Sequence, residues 1–171
     1  LKAQREALSD DTDDMSVMAR KYGELSNQPQ FSNFRRRVPV IATWDDHDFG
    51  RNDAGKWYPY KEESKNIFLQ FFKEPDTSER RKHEGIYKTE YIKQGDKTVQ
   101  VILLDVRSFR NDLLLYIKGD SLPRKEYFYT PDYKPHTSAD STLLGEAQWK
   151  WLEQELKKPA DLRLICSGSQ F

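Results

Sequence analysis

Apolar positions along the chain follow two different periods, and the switches between them divide it into elements. Met15, Met18, Tyr22 and Leu25 recur at helical spacing behind the acidic stretch "SDDTDD". That order predicts a helix whose start is capped by aspartate, where carboxylates accept free N–H groups and meet the positive end of the dipole. A calcium loop is the alternative reading of the acidic stretch, but no glycine and closing glutamate follow at EF-hand spacing.

Three continuous apolar runs, "VPVIAT" (38–43), "TVQVILLD" (98–105) and "LRLICS" (162–167), are short and β-branched. They predict strands covered on both faces, as in a layered α/β sheet. "GIYKTEYIKQGDKTVQVILLD" reads as a hairpin turning near Gln94 to Lys97. Helices are predicted over Tyr60 to Phe72 and Glu146 to Lys157, the second with Trp149, Leu152 and Leu156 on one face and Pro159 as its stop. From Ser108 to Thr142 the pattern has little period and is rich in tyrosine, a length of loop that in compact domains usually serves function.

Composition narrows this picture. At 171 residues the chain has the length of one domain, and four Trp, nine Tyr and nine Phe supply the large side chains that disordered chains lack. Lys plus Arg and Asp plus Glu are 28 each, so no global field favours nucleic acid or an anionic membrane. One cysteine, Cys166, excludes an internal disulfide framework and a cysteine-rich zinc site, and it is expected as a small apolar filler of a buried strand. No run reaches the length of a membrane span. The chain opens on Leu1 and stops at Phe171 directly after an apolar run, which reads as a piece of a larger domain, lacking both flanks.

All three apolar runs hand over to polar residues, "TWDDHD", "DVRSFR" and "SGSQF". In layered α/β folds, ligands collect beyond the carboxyl ends of strands. "ATWDDHDFG" (42–50) packs three carboxylates around one histidine, and a hard cation would convert their repulsion into attraction. In extended chain Asp46 and Asp48 would face one way, Asp45 and His47 the other. An Asp-rich turn with a surface histidine is the bland reading.

"VPVIATWDDHDFGRNDAG", "ILLDVRSFR", "LLGEAQWKWLEQEL" and "LICSGSQF" together resemble the PhoD-like alkaline phosphatases, the alkaline phosphatase D family of the metallophosphoesterase group. The resemblance runs from about Phe31 to Phe171. It implies part of a four-layer α/β/β/α sandwich, incomplete at both ends, and metal-dependent hydrolysis of phosphate mono- or diesters. Divalent or trivalent ions, calcium and iron among them, are implied, as is a secreted or periplasmic location. On the match of "DDHD" to the group's Gly-Asn-His-Asp/Glu motif, Asp46 is implied as a metal ligand and His47 as the histidine facing the phosphate. Asp48 is implied as the group that orients His47. Asn52, Asp45 and Gln170 are further metal-ligand candidates. The remaining ligand segments of the family fall outside the chain, so the isolated chain is expected to lack a complete metal centre and activity.

Arg107 is a candidate for meeting the phosphate through its fork of donors, against an internal pair with Asp105 or Asp112. Arg35, Arg36 and Arg37 read as a solvated face, His83 and His136 as surface residues, and Trp44 as packing under the site. A phospholipase D-like diesterase and a non-catalytic binding or structural module are the rival readings.

Overall fold

The computed structural model describes residues 13–115 and 133–169. Helix α1 (Met15–Asn27) begins where the acidic stretch predicts, with the Asp14 carboxylate accepting the Ser16 N–H at 2.9 Å. Residues 9–12 of that stretch lie outside the described residues. Helix α2 (Pro29–Arg37) was not expected. Its proline stands in the first turn, where a missing N–H breaks no bond, and its three arginines fill the last turn, facing the negative end of the dipole. Arg35 departs from the solvated face foreseen for this run. It lies 5.2 to 5.8 Å from the ring centres of Phe31, Phe71 and Phe72 and donates to the Phe71 carbonyl at 3.0 Å.

The run at 38–43 is the main departure from expectation, because it forms no strand. One of its carbonyls, that of Ala42, is met by a side chain instead of a ladder, Arg80 Nη2 donating to it at 2.6 Å. Val38 and Ile41 remain exposed. The carboxylates that follow sit on a single turn, α3 (Asp46–Phe49). Helix α4 (Lys61–Phe71) then packs against it, and a short 3-10 turn (Glu79–Arg81) leads to the hairpin β1 (Lys88–Gln94) and β2 (Lys97–Leu103).

A two-stranded ribbon, β3 (Leu114–Leu115) with β4 (Tyr133–Lys134), brackets residues outside the described set. Helix α5 (Gly145–Lys157) and strand β5 (Leu162–Cys166) complete the described fold. The sheet order is β1-β2-β5, with β1 antiparallel and β5 parallel to β2, so β2, α5 and β5 form a parallel crossover. The architecture is α/β, with a mixed three-stranded sheet and a small ribbon among the described residues.

Two apolar clusters hold it. Trp44, Phe49, Tyr58, Phe68, Leu69 and Ile86 pack under the 44–50 turn, and Ile102, Leu104, Val106, Leu144 and Leu152 join β2 to α5. Strand β5 was expected to be covered on both faces, yet Leu162, Leu164 and Ile165 are about half exposed. It stands at the sheet edge with β2 on one side only, and Cys166 is correspondingly half-buried. On α5, Leu152 is buried while Trp149 and Leu156, foreseen on the same covered face, are exposed.

Candidate functional site

Parallel pairing puts the carboxyl ends of β2 and β5 at one edge, where the Leu104 N–H donates to the Cys166 carbonyl at 2.9 Å. The 42–50 segment is fastened to that same edge. Thr43 Oγ1 donates to the Leu104 carbonyl at 2.6 Å. Gly168 approaches the Trp44 carbonyl so closely that a Cβ there would sit 2.2 Å from the oxygen. Thus the three polar hand-overs meet, although only two of them follow strands.

Asp105 organises the junction from inside. It is fully buried and accepts from Trp44 Nε1, Ile86 N–H, Arg107 N–H and Ser108 N–H at 2.9 Å each, and from Ser108 Oγ at 2.7 Å. A buried carboxylate is tolerable only when donors surround it. These donors fold residues 105–108 into a turn that aims Arg107 at the motif. Trp44 packs beneath the site as expected, 1% exposed.

The alternating directions foreseen for 45–48 do not occur, because α3 wraps these residues into a turn. Asp45 and Asp48 cap it reciprocally, and the Asp45 N–H reaches Asp48 Oδ2 at 3.3 Å. Asp48 accepts its other bond from the Tyr22 hydroxyl at 3.4 Å. Its carboxylate therefore serves the cap and α1, and the contact to His47 that the resemblance implied is not made in this structure. Asp48 is exposed as a residue, but packing around the carboxyl itself pushes its pKa up, with Asp45 and Asp46 adding to the effect. Burial and the same carboxylate hold the Tyr22 phenol well above its usual range. His47 is exposed, and its backbone N–H is held by Asp46 Oδ1.

Arg107 is the centre of the charge arrangement, with its side chain 5% exposed. Its Nε donates to Asp45 Oδ1 at 2.9 Å and its Nη2 pairs with the same oxygen. Asp46 Oδ2 and Asp53 Oδ1 each lie 3.9 Å from the guanidinium. The internal pair foreseen for Arg107 thus exists with other partners than Asp105 or Asp112. Its Nη1 is buried and meets no hydrogen-bond acceptor among the described residues. For Asp46, burial works against ionisation, but Arg107 and the N–H groups of Asp53 and His47 outweigh it and hold the carboxyl below the usual range.

Asp53 and Arg110 were not singled out from the sequence. Arg110 Nη1 lies 4.0 Å from Asp53 Oδ1, and Asn52 Nδ2 donates to Asp53 Oδ2 at 2.8 Å. The signal available was the turn composition of "RNDAG", where Asn, Asp and Gly accept left-handed backbone.

Aspartate, asparagine and histidine are the right donor types for a hard cation. Their placement is another matter: Asp45 is engaged by Arg107, Asp46 Oδ1 accepts the His47 N–H at 3.0 Å, and Asp48 faces α1. Among the described residues no three His, Cys, Asp or Glu side chains converge on one point. The described donors as placed do not make a cation site. Gln170 lies outside the described residues.

The family model of the PhoD-like phosphatases matches residues 5–165, most of the chain. The chain matches no curated protein and no solved structure. It belongs to the PhoD-like phosphatase family, whose members are in general metal-dependent.

Proposed function

We propose that this member of the family carries the phosphate-facing side of a site that hydrolyses phosphate mono- or diesters. The observation that supports it best is Arg107: a buried guanidinium at the carboxyl ends of β2 and β5, beside Asp45, Asp46 and Asp53, and its Nη1 meets no acceptor among the described residues.

A guanidinium N–H makes a charge-assisted bond to a phosphoryl oxygen, and such a bond strengthens as negative charge builds on that oxygen in the transition state. Asp45 holds Arg107 from one side, which fixes the direction of the remaining donor. His47, exposed on α3, supplies a proton to the leaving oxygen as its bond to phosphorus breaks and water forms the new one. Calcium and iron are the ions the resemblance implies, with Asp46, Asn52 and Gln170 as candidate ligands. The described donors do not close around an ion. The four-layer sandwich is likewise part of this proposal, with the described sheet as one of its layers.

The test is phosphate release from nitrophenyl phosphate and nitrophenol release from its bis-ester, each with added calcium, manganese or iron. Asp46→Ala in the protein carrying this chain should abolish turnover and lower the metal content read by mass spectrometry. Lys150→Ala, on the exposed face of α5, should match wild type. Unchanged turnover and unchanged metal in Asp46→Ala would remove the assignment.

A further inference from the structure

Asp53 is the third residue of a tight turn closed by the Ala54 N–H on the Arg51 carbonyl at 3.0 Å. Its φ is +57°, in the left-handed region that favours glycine, where a non-glycine residue is strained unless its surroundings fix it. Asparagine and aspartate tolerate the region best. What surrounds Asp53 is a set of side chains that already figure in the site.

Five contacts converge on this residue. Its N–H reaches Asp46 Oδ2 at 3.4 Å. Oδ1 faces Arg107 Nη1 at 3.9 Å and Arg110 Nη1 at 4.0 Å. Oδ2 accepts the Asn52 amide at 2.8 Å and also the hydroxyl of Tyr133, from β4. Behind it the two loops are zipped together. Arg110 Nη2 donates to the carbonyls of Asp53 and Ala54, and the Lys56 N–H donates to the Arg110 carbonyl at 2.8 Å. Gly55 lies so near that a Cβ would stand 2.6 Å from the Arg110 oxygen.

We propose that Asp53 is a positioning residue that sets the Asn52 amide and the Arg107 and Arg110 guanidinium groups against the Asp46 turn, with Tyr133 holding its carboxylate in place. This rests on the phosphoester reading above and deepens it. Taking the amide hydrogen of Asn52 decides which way the amide oxygen points. Sharing one carboxylate between two guanidinium groups offsets their repulsion and holds both beside a common place. Such outer contacts orient groups that touch substrate without touching it themselves.

The experiment uses the protein carrying this chain, with two variants chosen to separate charge from backbone. Asp53→Asn keeps a residue that tolerates positive φ and removes the charge. Asp53→Gly relieves the backbone and removes the carboxylate. Both should lower kcat/KM for bis-nitrophenyl phosphate by about 10- to 100-fold, the usual span for an orienting partner. Both should raise KM and weaken inhibition by inorganic phosphate, because the phosphate-binding guanidinium loses its aim. Tyr133→Phe should move the same constants in the same direction by less. A merely structural role would reduce the active fraction, so kcat would fall while KM and the inhibition constant stayed at wild-type values; that result overturns the inference. If the wild type turns over no phosphoester, the preceding reading fails, and hydrogen exchange then decides this one. Asp53→Asn should speed exchange at residues 107–112 with β1 and β2 unaffected, and unchanged exchange there would overturn it.

Discussion

The indole Nε1 of Trp44 donates to the Asp105 carboxylate at 2.9 Å, and both side chains are almost completely shut away from water. The bond ties the residue before the carboxylate motif to the turn that carries Arg107. Removing a donor from a buried carboxylate costs about 1.5 to 3 kcal/mol, so Trp44→Phe should lose that much stability while keeping ring contacts with Phe49 and Phe68. Urea unfolding measures it. A loss below about 0.5 kcal/mol, within the range of surface substitutions, would mean that Asp105 does not depend on the indole.

Gly85 faces the same carboxylate from the other side. Its φ is +76°, and a Cβ would stand 2.6 Å from Asp105 Oδ2 and 2.8 Å from the Phe109 ring. Gly85→Ala therefore meets both backbone strain and a clash, and should destabilise by about 1 to 3 kcal/mol. Thermal unfolding at matched conditions reads this, and an unchanged midpoint contradicts it.

Arg107 is the cation that keeps Asp45, Asp46 and Asp53 together. In Arg107→Ala the carboxylates repel, with Arg110 left as the nearby cation beside Asp53. Asp45 is partly exposed, so solvent screens part of the effect. The variant should be less stable, and should regain stability between about 0.1 M and about 1 M salt, over which the screening length falls from roughly 10 to 3 Å. Wild type should gain less over the same range. Equal salt responses would show that the guanidinium is not the counter-charge.

Away from the site, Glu74 receives Lys88 Nζ at 2.7 Å, Ser78 Oγ at 2.7 Å and Arg80 Nη1 at 3.3 Å. Burial opposes its ionisation, but these partners outweigh burial and hold its pKa below the ordinary value of 4.5. A carboxyl with a depressed folded pKa stabilises fully above its unfolded pKa, and that stability disappears as pH falls through the folded value. Wild type should thus weaken from about pH 5 downward, whereas Glu74→Gln should be weaker at pH 7 and flatter with pH. Parallel profiles for the two proteins would contradict the assignment.

Several of these relationships were legible beforehand. Apolar period placed α1, α4, α5 and the hairpin, because those elements bury one face and the pattern records it. The run at 38–43 carries the same signal as a strand, yet Arg80 takes its Ala42 carbonyl, and no local pattern announces a side chain arriving from about forty residues away. Exposure of β5 depends on which elements flank it, information that the strand's own residues do not hold. In the site, the motif 45–48 and Arg107 were visible by residue type. Their pairing was not, since Asp45 and Arg107 are brought together through Trp44 and Asp105. Asp53 was hidden for the same reason, its partners coming from three separate segments.

His47 offers the most direct test of the account. The residue is exposed, so His47→Asn should leave unfolding unchanged. If it protonates the leaving oxygen, kcat for nitrophenyl phosphate should fall by about 10²- to 10⁴-fold, with a smaller loss for substrates whose leaving groups need no proton. Measured on the protein carrying this chain, that loss with unchanged stability is the predicted result. Wild-type turnover in His47→Asn would contradict the claim that this turn faces a phosphoester.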